Sequence, residues 1–194
     1  GSENDRKLIE ARVRSQRDEA LRKEAHYRNL AASIDEHLDG IAQIDRLLDD
    51  YEFVRSPEAL LMYDEEDGWI SKDRKAQDVA EKWIAAMPAT RLSVLLDEGG
   101  PVFCYSVSPQ NAEWLKLPLD LQIRHMDAVS SLHTIVAANS DFAENPAQVF
   151  AAPLEYARSR GFEAAGTPWG TVLLVEVASV AQIKPYVEVW VPIK

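Results

Sequence analysis

The chain has 194 residues, of which 46% are hydrophobic and 27% are charged, so it can bury a full core and is not a disordered protein. Its net charge of -11 argues against this chain alone binding nucleic acid, because neutralising phosphates needs clustered Lys and Arg. A single cysteine, Cys104, excludes an intramolecular disulfide and a cysteine-based zinc cluster.

Residues 1–50 predict one long helix. From Glu3 to Asp50 the segment has no proline, one glycine at Gly40 and mostly strong helix formers, and it would extend on the order of 70 Å. Positions seven apart form one line, Val13, Ala20, Tyr27, Ile34, Ile41 and Leu48, and a companion line, Ile9, Gln16, Lys23, Leu30, His37 and Ile44. We expect this seam to form a homodimeric coiled coil. The alternative is a charged helix that folds back on its own globular part.

Residues 51–194 predict a second domain built from two repeats, approximately 51–120 and 121–194. In the first, the order strand, helix, strand, strand is predicted by "EALLMYD", "RKAQDVAEKWIAAM", "PVFCYSV" and "LKLPLD". In the second, the same order is predicted by "DAVSSLHTIVA", "NPAQVFAAPLEYARSR", "TVLLVEV" and "VWVPIK". Duplication of one unit predicts an α+β fold with an antiparallel sheet and a central ligand cleft between the two units.

Alternation along the strands predicts which residues line that cleft, because successive side chains point to opposite faces. We expect Val187, Val189, Val191 and Ile193 to pack beneath the helices, leaving Tyr186, Glu188 and Trp190 on the other face. In the preceding strand, we expect Leu173, Val175 and Val177 to face inward and Val172, Leu174, Glu176 and Ala178 to face outward. In the first repeat, we expect Trp114 and Lys116 to face outward.

Carboxylates among aromatic and aliphatic side chains indicate a binding site for a lipophilic cation. A buried carboxylate loses hydration, and an entering cation restores charge pairing while aromatic rings attract the same cation. The alternative is that Glu176 and Glu188 are solvent-facing residues, or that they pair with Lys184 or Lys116. Trp69 and Trp169, each beside a glycine, either plug a domain edge or border a pocket.

The long helix followed by a duplicated unit ending in "YVEVWVPIK" resembles the effector-binding region of MerR-family multidrug-responsive regulators of the BmrR type. More broadly, it is similar to the GyrI-like small-molecule-binding superfamily. The resemblance implies that the helix is a dimerisation helix and that Glu176 in "LLVEVAS" is a pocket glutamate. Ser106 would stand at the equivalent place of the first repeat. From its strand neighbours, we expect Glu188 to lie nearer the rim than Glu176.

We therefore expect the effector-sensing and dimerisation part of a transcription regulator, cytoplasmic, which binds DNA only through a domain preceding residue 1. The ligand-binding residues expected are Glu176, Tyr186, Trp190, Glu188, Ser106, Trp114 and Leu174. One alternative is a hydrolase of reactive small molecules that uses Glu176, Tyr186 and Trp190, and another is a peptide-binding or protein-binding module. No membrane span, cofactor, metal site or catalytic residue is expected, and His125 and His133 lack metal-binding partners in the sequence.

Overall fold

A computed structural model describes residues 2–62, 73–119, 123–179 and 182–194. Trp69 and the last two residues of "EALLMYD" lie outside these ranges. The helices are α1 (Ser2–Ala42), α2 (Ile44–Leu47), α3 (Arg74–Ala85), α4 (Pro109–Leu115) and α5 (Gln148–Ser159). The strands are β1 (Glu52–Arg55), β2 (Ala59–Met62), β3 (Thr90–Asp97), β4 (Gly100–Val107), β5 (Ile123–Met126), β6 (Ser130–Ala137), β7 (Trp169–Ser179) and β8 (Gln182–Pro192). The predicted α+β class is confirmed.

The described strands form one eight-stranded antiparallel sheet in the order β1-β6-β8-β7-β3-β4-β2-β5. This order is symmetric about the central β7–β3 pair, since β8 and β4, then β6 and β2, then β1 and β5 follow on the two sides. Each half contains a strand, a helix and a hairpin in that order, so the predicted repeat of this order is confirmed. The two edge strands are exchanged, because β1 precedes β2 in the chain but pairs with β6, and β5 pairs with β2.

The hairpin of the first half is β3–β4, which corrects the prediction that "LKLPLD" is a strand. That segment begins with the last residue of α4, whose start is capped by Ser108, its Oγ accepting a hydrogen bond from the Asn111 N–H at 3.1 Å. Pro109 suits the first turn of a helix, and Lys116 ends the helix in a left-handed conformation, with φ of 52°. The segment "TRLSVLLD", which was not predicted to be a strand, forms β3.

One face of the sheet carries the helices α3 and α5, as the alternation in β8 predicts. Val187, Val189 and Val191 are fully buried in one cluster with Val149 and Phe150 of α5. A separate cluster joins α3 to the other half of the sheet, and its members include Val79, Trp83, Tyr105 and Val107. The opposite face, which we call the open face, is therefore left for α1 and for a cleft.

Helix α1 covers part of the open face with its C-terminal portion. The residues that turn towards the sheet are half-buried or buried and recur at helical spacing: Leu30, Ser33, His37, Gly40 and, in α2, Ile44. Gly40 permits a close approach, since a Cβ there would lie 2.9 Å from Leu173 Cδ2. Ile44 of the companion line and Ile41 of the first line thus pack on the chain's own sheet.

The remainder of α1 does not contact the sheet. Residues 3–28 are exposed, and four ion pairs of i,i+4 spacing run along them: Glu3–Lys7, Glu10–Arg14, Glu19–Lys23 and Glu24–Arg28. The predicted single helix is also interrupted, because α1 ends at Ala42 and the short α2 follows. Of the helices in the described ranges, none offers an apolar stretch that could span a lipid bilayer.

Candidate ligand-binding cleft

The strand register arranges the open face in rows, because directly opposed residues of antiparallel strands point to the same side. The first, which we call the aromatic row, runs across four strands: His133, Trp190, Trp169 and Leu95. The second, which we call the polar row, is Glu188, Thr171, Ser93 and Cys104. Arg91 and Ser106 are opposed to each other in a third row, next to the polar row.

The aromatic row is a stack of three rings. Trp169 and Trp190 have ring centroids 4.5 Å apart with planes inclined by 26°. His133 lies at 5.3 Å from Trp190 in an almost parallel plane. Both tryptophans are almost fully buried, so their positions are set by packing and their accessible edges are held in place.

Hydroxyl groups of the polar row and of Ser106 in the neighbouring row connect three strands. Ser93 Oγ donates a hydrogen bond to Ser106 Oγ at 2.7 Å and lies 3.2 Å from Thr171 Oγ1. All three residues are buried, and hydrogen bonding offsets the cost of burying their hydroxyl groups. Ser106 accepts from Ser93 and therefore keeps its own O–H available as a donor.

His133 lies between two carboxylates. Its Nδ1 is 2.8 Å from Glu52 Oε1, and its Nε2 is 2.8 Å from Glu188 Oε1. Burial lowers the pKa of His133, but the hydrogen bonds with Glu188 and Glu52 outweigh it, so the pKa is raised above its ordinary value. A hydrogen bond from Arg46 is the largest cause that lowers the pKa of Glu52, to about 2, with His133 contributing and burial opposing.

A cleft of about 130 Å³ opens between this face and its surroundings. Its floor includes Arg91, Ser106, Thr171 and the two stacked tryptophans. Its walls come from α1, from the segment before β2, and from the ends of β3, β4 and α4: Glu36, Pro57, Glu58, Ala59, Ala89, Val107, Ser108 and Asn111. The cleft therefore combines the accessible edges of aromatic rings, hydroxyl groups and charges of both signs.

Arg91 is a half-buried cation in this cleft. Its guanidinium has no hydrogen bond or ion pair within the part of the chain that the structure describes. Burial lowers the pKa of Arg91, and the more distant charges of Glu188 and Glu36 raise it by less. Burial and then the charge of Arg91 lower the pKa of the neighbouring His37. A positive charge is thus held in the cleft without a direct counter-ion among the described residues.

The side of α1 that faces the sheet also carries polar atoms without partners. Ser33 Oγ and His37 Nδ1 are buried and make no hydrogen bond to the described residues. Such atoms cost free energy in an interface that serves packing alone. We infer that the contact between α1 and the sheet is weaker than its apolar part would suggest.

Two of the seven predicted ligand-binding residues, Ser106 and Trp190, line the cleft. Glu188 lies beside it in the polar row, with a side chain 12% exposed, and Tyr186 is buried against α2. Trp114 is on α4, not on a strand as predicted, and its Nε1 donates to Asn111 Oδ1 at 2.9 Å. Leu174 is half-buried in the cluster of Tyr186.

Glu176 lies outside the residues that line this cleft. It is exposed near the end of the β7–β8 hairpin, where it accepts a 3.2 Å hydrogen bond from the Tyr186 hydroxyl. Glu188 was expected to lie nearer the rim than Glu176. This expectation is wrong, because Glu188 is the more buried of the two. A ligand-binding role for either carboxylate stays a prediction.

The predicted faces of β7 need a correction as well. Leu173 packs with Tyr186 on the open face, and Val172 packs with the α5 cluster, the reverse of what simple alternation predicts. A register shift between Val172 and Leu174 adds one residue to this strand, so Leu174 and Glu176 still face Tyr186 and Lys184. Ser106, on β4, is also not equivalent to Glu176, because β7 corresponds to β3.

The sequence reasoning missed Arg91, Thr171 and Glu36. Arg91 and Ser93 alternate with apolar residues in "TRLSVLLD", which is the signal that could have found them had this segment been recognised as a strand. Glu36 could not be found, because nothing in the helix pattern indicates which surface it covers.

The fold and this site define an α+β domain with a cleft between a long helix and the open face of its sheet. No protein-family model matches the chain, and no curated protein matches it in sequence. Solved structures with a similar fold include a hydrolase from Listeria innocua, with a TM-score of 0.45 and 10% identity over 74% of this chain and 91% of that chain. They also include an uncharacterized conserved protein from Listeria innocua (TM-score 0.46, 9% identity, 74% and 92% covered) and the C-terminal domain of EcmrR (0.43, 11%, 75% and 97%). What the cleft binds has to follow from its own side chains.

Proposed function

We propose that the chain is the effector-sensing and dimerisation part of a MerR-type transcriptional regulator, and that a small aromatic effector binds in the cleft. One observation carries this proposal: the cleft is lined both by Trp169 and Trp190 of the sheet and by Glu36 of the long helix. DNA would be bound through a domain preceding residue 1.

The position of Glu36 gives a physical route from binding to regulation. An effector that contacts Glu36 and the sheet together favours the arrangement of α1 in which both contacts are made, and it shifts the population accordingly. Ser33 Oγ and His37 Nδ1, on the same side of α1, have no hydrogen-bond partner among the described residues, which makes alternative arrangements of α1 less costly. Since residues 3–28 extend beyond the sheet, a small rotation at Glu36 would move their far end by a larger distance.

Binding is testable through the two tryptophans of the cleft. We expect planar aromatic compounds to quench the fluorescence of Trp190 and to shift its indole N–H signal. Trp190→Ala should weaken the affinity by about tenfold or more, since the lost ring contact is worth about 1.4 kcal/mol or more. Phe53→Ala, which removes a half-exposed ring on β1 outside the cleft, is the control and should leave the affinity unchanged. Equal affinities of Trp190→Ala and wild type would contradict the proposal.

Dimerisation is the second part of the proposal. Large apolar side chains remain exposed along α1: Leu8, Ile9, Val13, Leu21, Tyr27, Ile34 and Leu38. We expect the intact chain to be a homodimer through this stripe and a variant lacking residues 3–28 to be a folded monomer. A longer deletion is unsuitable, because Ile44 and Leu47 are buried against the sheet. Light scattering at micromolar concentration measures the mass, and a monomeric intact chain would rule the dimer out.

A further inference from the structure

Arg91 is the feature of the cleft that an aromatic effector alone leaves unexplained. The acidic groups around it are engaged elsewhere or exposed. Glu188 is bound to His133, Glu58 Oε1 lies 2.6 Å from His125 Nε2, and Glu36 is exposed on α1. Arg91 is therefore the half-buried charge of the cleft that lacks a direct partner among the described residues, and this charge is positive.

A guanidinium in this position is suited to a carboxylate. It carries several N–H donors in a planar fork that matches the two oxygens of a carboxylate, and burial removes part of its hydration. An anionic ligand replaces the lost water with charge-assisted hydrogen bonds. A cationic ligand would meet the Arg91 charge at short range instead.

Ser106 adds a second donor next to Arg91. The two residues are directly opposed on β3 and β4, so their side chains leave the sheet on the same side. The Ser106 hydroxyl accepts from Ser93 at 2.7 Å and donates to no described residue, so its own O–H can serve an acceptor in the cleft. Trp169 and Trp190 line the same cleft and offer apolar surface to a ring.

We propose that Arg91 and Ser106 bind the carboxylate of a compact aromatic acid whose ring lies against Trp169 and Trp190. This proposal rests on the proposed function of the cleft as an effector site, and it replaces the cationic effector expected from the sequence by an anionic one. A compact ligand is indicated because the cleft of about 130 Å³ is smaller than the roughly 300–1,000 Å³ typical of drug-sized ligands.

Benzoate, benzamide and benzamidinium test the charge directly, because they have the same ring and differ in the charge of one group. Binding is measured on the intact chain from the indole N–H shifts of Trp169 and Trp190 at low ionic strength. We expect benzoate to bind most tightly and benzamidinium most weakly. Arg91→Gln should weaken benzoate by at least about tenfold and change benzamide by less than about twofold. Ser106→Ala should weaken benzoate several-fold.

Two further variants separate the role of Arg91 from its effect on folding. Arg91→Lys keeps the charge without the planar fork and should retain part of the benzoate affinity. Arg55→Gln, at an exposed position on β1, is the matched control and should bind benzoate as wild type does. If Arg91→Gln fails to fold, the order of the affinities of the three ligands for wild type still tests the carboxylate site.

The outcomes distinguish this proposal from the one on which it rests. Tightest binding of benzamidinium, or equal binding of benzoate and benzamide, would overturn the carboxylate site and leave the effector cleft standing. Failure of all three compounds to shift either indole signal would overturn both proposals.

Discussion

Replacing Gly170 by alanine should lower the free energy of unfolding by about 2–3 kcal/mol. Gly170 lies in β7 between Trp169 and Thr171, where β7 approaches β8 closely. A Cβ at this position would lie 2.7 Å from the Glu188 carbonyl oxygen and 3.0 Å from Val187 Cγ1. Because the nearest atom belongs to the backbone, no side-chain rotation relieves the overlap and the two strands must move apart. Urea unfolding followed by circular dichroism measures the change.

Gly99→Ala is the matched control for this prediction. Gly99 is in the turn between β3 and β4, and a Cβ there would have no neighbour within 4 Å. We expect a change within about 0.5 kcal/mol, as for other open surface positions. Equal unfolding midpoints for the two alanine variants would show that the close approach of β7 to β8 is not as tight as the structure has it. Since Trp169 and Thr171 flank Gly170, the variant should also weaken ligand binding in the cleft.

His133→Gln should lower the free energy of unfolding by about 1–3 kcal/mol near pH 6, because it removes a charged ring held between two carboxylates. A neutral imidazole has one N–H and can donate to only one of Glu52 and Glu188, whereas the protonated ring donates to both. The loss should therefore be largest where wild-type His133 is protonated.

The pH dependence of that loss has a definite sign. The folded-state pKa of His133 is raised above the ordinary 6.5, so its contribution to stability is fully present below 6.5 and disappears as the pH rises through the folded-state value. The difference in unfolding free energy between wild type and His133→Gln should shrink as the pH rises through the folded-state pKa of His133. The effect of His37, whose pKa is lowered, is common to both proteins and cancels in this difference.

Glu52 acts at the acidic end of the range. Its pKa is lowered from 4.5 to about 2, so its contribution is present above 4.5 and is lost as the pH falls towards about 2. His125→Gln is the control under the same conditions, because His125 Nε2 lies 2.6 Å from Glu58 Oε1 between half-exposed side chains, where such a contact contributes about 0–1 kcal/mol. A difference between wild type and His133→Gln that does not vary with pH would contradict the charged state inferred for His133.

Local pattern determined the two faces of β8 and the helices α3 and α5. Val187, Val189 and Val191 alternate with Tyr186, Glu188 and Trp190, and the period of a strand leaves only two faces on which to place them. For the same reason Trp190 could be predicted on the side that forms the cleft. The alternation failed at Leu173, where β7 contains an additional residue that no period of two reveals.

Depth of burial was decided by the tertiary structure. Alternation predicts that Glu188 and Glu176 lie on the same face of the sheet. At Glu188, however, β8 has β6 and β7 on its two sides, and these strands enclose the residue. Glu176 pairs with Lys184 in the part of the hairpin that extends beyond the pairing of β8 with β6, so it remains exposed. The two-residue period of a strand gives the face to which a side chain points. Its burial depends on which strands, distant in sequence, lie beside that strand in the sheet.

The tertiary structure also determined what α1 packs against. Apolar residues at helical spacing indicate that a helix packs against a partner, but they do not identify that partner. The seam of residues 1–50 suited both a second copy of the chain and the chain's own sheet. Ile41 and Ile44 pack in a cluster with residues of the sheet, while Val13, Tyr27 and Ile34 stay exposed. Contacts between residues far apart in the chain, such as Gly40 with Leu173, made that choice, and they brought Glu36 into the cleft that Arg91 also lines.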